Sequence, residues 1–257
     1  MQAAVAIIAH ALRMLIFETG TTLRVIMPAL LIVIASVVLA AAFVGDTLMA
    51  LQTAPEQVML NPPASILLVG LLGFAGLIGY ALMAILWHRH VLLSGMDRGQ
   101  VMRPDANILM QYIGKAIVLG LVQFVASIPI VLGMGAIIAV GGGSAPVVVL
   151  SGFLGSLAFI WIALRLSLIL PAAALGTRMT ILDSWEATMD VSGTMWCVAL
   201  LLTGLNWAAY TLAGLLVPDA SSIGLVIRTI FYIVEGLVFI SVLTTFYGHL
   251  VEGRSLG

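Results

Sequence analysis

Charge is what this chain has least of. Of its 257 residues only 8% are Asp, Glu, Lys or Arg, where a soluble domain carries about 25%. So few charges cannot cover a water-facing surface, and lipid has to be the main solvent. The near balance of signs, a net charge of −1, leaves no basic patch to attract nucleic acid. Cysteine is nearly absent too. The lone Cys197 excludes an internal disulfide and sits in an apolar run, where it reads as a small packing residue. Catalytic patterning is missing as well. No serine, histidine and carboxylate fall together as a hydrolase needs, and Gly141-Gly-Gly143 follows no strand, so it is no phosphate loop. Met1 to Phe17 lacks a basic start and is interrupted by His10 and Arg13, unlike a cleaved signal.

What the chain has in quantity is apolar length: 62% hydrophobic residues and a mean hydropathy of +1.22. A spanning helix needs about 20 mainly apolar residues. Six stretches qualify, at 23–45, 64–88, 114–140, 146–170, 194–216 and 223–248. Backbone groups in lipid must pair internally, so each is expected to be a helix. The connections alternate in charge. Gly45 to Pro63, Gly141 to Pro146 and Pro218 to Ser222 hold no Lys or Arg. Arg13, Arg24, Arg89, Arg98, Arg103, Lys115, Arg165, Arg178 and Arg254 all fall on the other side. The positive-inside rule then puts both termini in the cytoplasm of a bacterial inner membrane.

Three segments before the odd-numbered spans are expected to lie along the cytoplasmic interface. In the first, Gln2, His10, Arg13 and Glu18 oppose Val5, Ile8, Leu12 and Leu15. Pro104 to Tyr112 is shorter. In the third, Ile181, Leu182, Trp185 and Met189 oppose Asp183, Glu186 and Asp190. Thr180 with Asp183 has the spacing of a capping box, Asp standing for Glu. The fold class is therefore all-α and integral to the membrane, with six transmembrane helices and three amphipathic interfacial helices. It forms one polytopic domain over 1–257. Units 1–95, 96–175 and 176–257 each read as an interfacial helix followed by a hairpin, either a threefold repeat or the ordinary appearance of a six-span protein.

The stretch from Arg165 to Trp196 is close to the pattern Arg-x-Ser-Leu, Pro, then Ser-Trp-x-x-Thr-x-x-x-Gly-x-x-Trp, carried here by Arg165, Ser167, Leu168, Pro171, Ser184, Trp185, Thr188 and Trp196, with four residues instead of three between Thr188 and Gly193. With Trp87-His88-Arg89 it resembles a broad set of bacterial six-helix inner-membrane proteins. That set is similar to the membrane domain of glycerophosphoryl diester phosphodiesterases. The resemblance implies a six-helix membrane fold. It does not imply the phosphodiesterase reaction, which belongs to a soluble barrel this chain does not contain.

Among single residues Glu235 stands out. It lies near the middle of span six, where a carboxyl costs several kcal/mol on insertion scales and usually faces the bundle. Its role is a proton, cation or substrate contact, or else a hydrogen bond that fixes helix packing. Gln123 in span three and Asn206 in span five are the candidate partners. Arg228, seven residues earlier on the same face, is about 10 Å away along the axis and is expected to snorkel outward. Pro129 marks a kink or a break in span three. His10, His88, His90 and His249 map near the cytoplasmic boundary, without the acidic or cysteine companions of a metal site. No catalytic, cofactor or metal site is expected. The function this favours is a non-enzymatic accessory, assembly or stabilising subunit of a larger membrane complex. Its partners would be membrane lipids and either other subunits or its own copies. The alternative is a small transporter of a lipid or amphipathic solute.

Overall fold

The computed structural model describes residues 1–17, 19–93, 104–216 and 222–255. Glu18, Arg98, Arg103 and Pro218, used above, lie outside the described residues. Ten helices follow one another among the described residues: α1 (Gln2–Phe17), α2 (Thr19–Thr53), α3 (Pro55–Leu60), α4 (Ile66–Leu92), α5 (Ala106–Val140), α6 (Ala145–Leu166), α7 (Ile169–Leu175), α8 (Ile181–Ala187), α9 (Ser192–Leu216) and α10 (Ser222–Leu250). No strand occurs among them. Six spans, with α6 and α7 sharing one, are long and apolar enough to cross a membrane. The protein is a multi-pass, all-α membrane protein.

The first hairpin is the tightest. Gly79 of α4 lies so close to α2 that an added Cβ would meet Val33, Ile32 and the Ala29 carbonyl. Small residues at such crossings let backbones approach where lipid supplies no hydrophobic drive. The second hairpin joins α5 to α6. Then the order departs from three separate hairpins. Helix α9 packs chiefly on α6, where Trp207 Nε1 donates to Ser156 Oγ at 3.1 Å. Helix α10 packs on α4 and α2, and α1 lies against α10 and α9.

Of the segments expected at the interface, α1 and α8 are separate helices. The middle one is the first two turns of α5, because nothing between Ala106 and Lys115 caps or breaks the chain. The face that α1 buries is Ala4, Ile7 and Ala11, while Val5, expected on the apolar side, is exposed. The small residues set the line of contact: Ser241 of α10 donates to the Ala11 carbonyl at 2.9 Å. Pro129 leaves α5 continuous.

Buried side chains gather at one end of the bundle, from Ala81 to Leu92, Ala163 to Ala174, Met195 to Leu202 and Val238 to Tyr247. Arg89, Lys115, Arg165 and Arg254 converge there, and we call it the basic end. Elsewhere the helices face outward, α5 most of all and α10 least.

Candidate functional site

At the basic end the motif residues form a joint. Pro171 has no N–H for the ladder, and the helix breaks between Leu166 and Ile169. The Ser184 hydroxyl of α8 fills the break: it donates to the Arg165 carbonyl at 2.7 Å and accepts from Leu168 N–H at 3.3 Å. Arg165, only 5% exposed, reaches back over α8. Its Nε donates to Thr188 Oγ1 at 3.1 Å and its terminal nitrogen to the Trp185 carbonyl at 2.8 Å. Its guanidinium lies 3.8 Å over the Trp185 ring and 5.4 Å from Trp161, which stacks on Trp196 at 4.6 Å. Arg165 and Trp185, singled out from sequence, thus meet, but each group is used within the joint. It has the character of a structural clasp.

Other cations at this end likewise hold carbonyls. Arg89 donates to Ala174 O at 3.0 Å, and Lys115 to Met179 O at 3.1 Å. Arg254 donates to Val91 O at 3.2 Å and also to Leu92 O, and it pairs with Glu252 at 2.6 Å. The last carbonyls of a helix have no partner within it, and the α4 and α7 ends obtain theirs here. Ahead of α8 the capping box is complete: Thr180 N–H donates to Asp183 Oδ2 at 2.8 Å and Asp183 N–H to Thr180 Oγ1 at 3.1 Å.

The histidines separate into different settings. His88 is wholly buried. The Thr244 hydroxyl gives its proton to the Ile240 carbonyl at 2.7 Å, so His88 Nδ1 donates to Thr244 Oγ1 at 2.8 Å. His88 Nε2 has no hydrogen-bond partner among the described residues. His90 sits beside Trp87, while His10 and His249 line a cavity of about 70 Å³ with Arg254. Among the described residues no three His, Cys, Asp or Glu side chains group to hold a metal.

Deeper in the bundle a chamber of about 220 Å³ opens between α9 and α10. Asn206, Tyr210, Arg228, Phe231, Tyr232 and Glu235 are among the residues lining it. Asn206 Nδ2 donates to Glu235 Oε1, and both side chains are half-buried. Three of the four polar residues proposed from sequence around Glu235, itself included, therefore line one chamber. The fourth, Gln123, does not. It is half-buried on α5, which packs on α6, α7 and α4, and it is not among the chamber's lining. On the adjacent face of α10 the Tyr80 hydroxyl lies against Gly236, where an added Cβ would collide with it.

No family model, characterised protein or solved structure matches this chain. The chamber and the clasp therefore rest on their own geometry. The chamber presents a carboxyl, an amide and a guanidinium to one space.

Tyr80 carried no signal in the sequence. Thr244 did carry a signal, since Ser241, Thr244 and Thr245 recur at helical spacing on an otherwise apolar span.

Proposed function

We propose that this protein binds an amphipathic molecule from the bilayer in the chamber between α9 and α10, as a small non-enzymatic carrier or transporter of a lipid or amphipathic solute. The basic end would face the cytoplasm of a bacterial inner membrane. One observation carries the reading: the Asn206–Glu235 pair borders space instead of being packed over. A carboxyl serving helix packing alone needs only its hydrogen-bond partner. Here Arg228 lines the same chamber, and a carboxyl and a guanidinium meet one space at membrane depth, where ionisable groups are costly and mark ligand or ion pathways. The unbroken course of α5 removes the proline break from this argument.

The test is purification in mild detergent, with mass spectrometry of what accompanies the protein. The wild type should carry an amphiphile near one per chain. Glu235→Gln should fold, with a melting temperature within about 3 °C, and lose most of it, whereas Glu235→Leu should also destabilise by leaving Asn206 unpaired. A folded wild type free of any amphiphile would reject the reading.

The subunit reading keeps one supporting observation. Gln123 is a half-buried amide on the most outward-facing span, with no side-chain hydrogen bond among the described residues, and such groups bond across helices in membranes. A stoichiometric membrane protein that accompanies the wild type and is lost in Gln123→Leu would favour it. The way in which Arg165, Ser184, Trp185 and Thr188 act together supports kinship with the six-helix proteins that resemble the phosphodiesterase membrane domain.

A further inference from the structure

We propose that the occupant of the chamber is a phospholipid with a primary amine, its headgroup between Arg228 and Glu235 and one acyl chain in the cleft between α2, α4 and α10. This rests on the amphiphile reading above and names its ligand class. The cleft holds about 380 Å³ and is lined by Val33, Val37, Leu48, Leu72 and Leu77, among others. On α4 its lining runs from Val69 to Tyr80, about 16 Å at 1.5 Å per residue. One leaflet of hydrocarbon is about 15 Å, half of a 30 Å core, so the cleft matches one acyl chain in depth.

Tyr232 lines both the chamber and the cleft. The two lie on adjacent faces of α10 and meet at this side chain. A molecule with one polar and one apolar arm can therefore straddle α10 at Tyr232.

The polar arm is specified by charge. Arg228 suits a phosphate as a bidentate donor. Glu235, about 10 Å further along the axis, suits an ammonium group, whose protons its second oxygen can accept while Asn206 holds the first. A quaternary ammonium has no N–H to give, and the terminal glycerol of phosphatidylglycerol brings hydroxyls but no cation to Glu235. The order of preference is thus phosphatidylethanolamine over phosphatidylcholine and phosphatidylglycerol.

The test uses the whole protein, stripped of lipid in detergent and titrated with each of these three lipids while its melting temperature is followed. Phosphatidylethanolamine should bind at least tenfold more tightly than the other two, and Glu235→Gln should erase that preference. Gly73 faces the cleft, and nothing lies within 4 Å of an added Cβ there, so Gly73→Leu projects a side chain into the cleft. It should weaken phosphatidylethanolamine at least tenfold yet leave soluble glycerophosphoethanolamine unchanged. Gly133→Leu, equally open but on α5, should change neither. Ala40→Leu enters the same cleft from α2 and serves if Gly73→Leu fails to fold.

Three outcomes overturn the proposal. Equal binding of all three lipids to the wild type removes the amine. Full binding by folded cleft-filled variants removes the acyl chain, while the amphiphile reading survives. No response to any lipid removes both.

Discussion

A guanidinium buried beside indoles tolerates little substitution. Arg165 binds a hydroxyl, a carbonyl and two rings at once. A lysine ammonium is a point charge without the planar fork, so Arg165→Lys is not conservative here. Loss of one charge-assisted bond costs about 1.5–3 kcal/mol, or roughly 3–12 °C in melting temperature at 2–4 °C per kcal/mol for a chain of this size. We expect Arg165→Lys to fall in that range and Arg165→Ala beyond it, measured by differential scanning fluorimetry in detergent. A wild-type melting temperature for Arg165→Lys would mean the clasp contributes little. The residues of the clasp were legible in the sequence as a spaced pattern, but their roles were not. That Ser184 stands in for a missing ladder bond appears only when α8 is laid over the break. Glu235 was legible because a carboxyl in an apolar run has no competitor for notice. Asn206 was named beside it and Gln123 wrongly paired with it, because sequence gives a residue's depth in its span and not which neighbouring helix its face meets.

Among the elements, α8 is short and depends on its ends. Its start is held by reciprocal bonds between Thr180 and Asp183. The Asp183 carboxyl is held below its ordinary value, chiefly by the Thr180 backbone N–H, then by the Thr180 side chain, with Lys115 adding a smaller pull. A lowered folded value means that this contribution is present above the ordinary carboxylate range, near pH 4, and is lost as pH falls through the lowered value. Protection of the α8 amides in hydrogen exchange, corrected for intrinsic rates, should therefore drop several-fold below pH 4. Asp183→Asn should show weak protection at neutral pH and little further change. An α8 whose wild-type protection is flat across that range would contradict the box. Leu182 and Met189 are exposed on the apolar side of the same segment, as a helix lying in lipid headgroups requires. The cap could be read from sequence because it is local. The continuity of α5 could not, since Pro129 permits either a kink or a break and only the neighbouring helices decide.

For the whole molecule, hydropathy gave the six spans, and their packing order lay beyond it: nothing periodic says that α9 turns to α6 and α10 to α4. Orientation has its own measurement. Reporter fusions after Gly257 and within Gly45 to Pro63 should report opposite sides, with the C-terminal one cytoplasmic. Periplasmic activity at Gly257 would reverse the placement. The contact of α1 with α10 also sets a clock. Ser241 and the Ala11 carbonyl are 230 residues apart in sequence, and ribosomes add about 5–20 residues per second. Helix α1 therefore waits on the order of 10–50 s for α10. Through that interval its buried line of Ala4, Ile7 and Ala11 has only lipid or earlier helices to lie against. Helix α1 is thus made long before the helix it seats against.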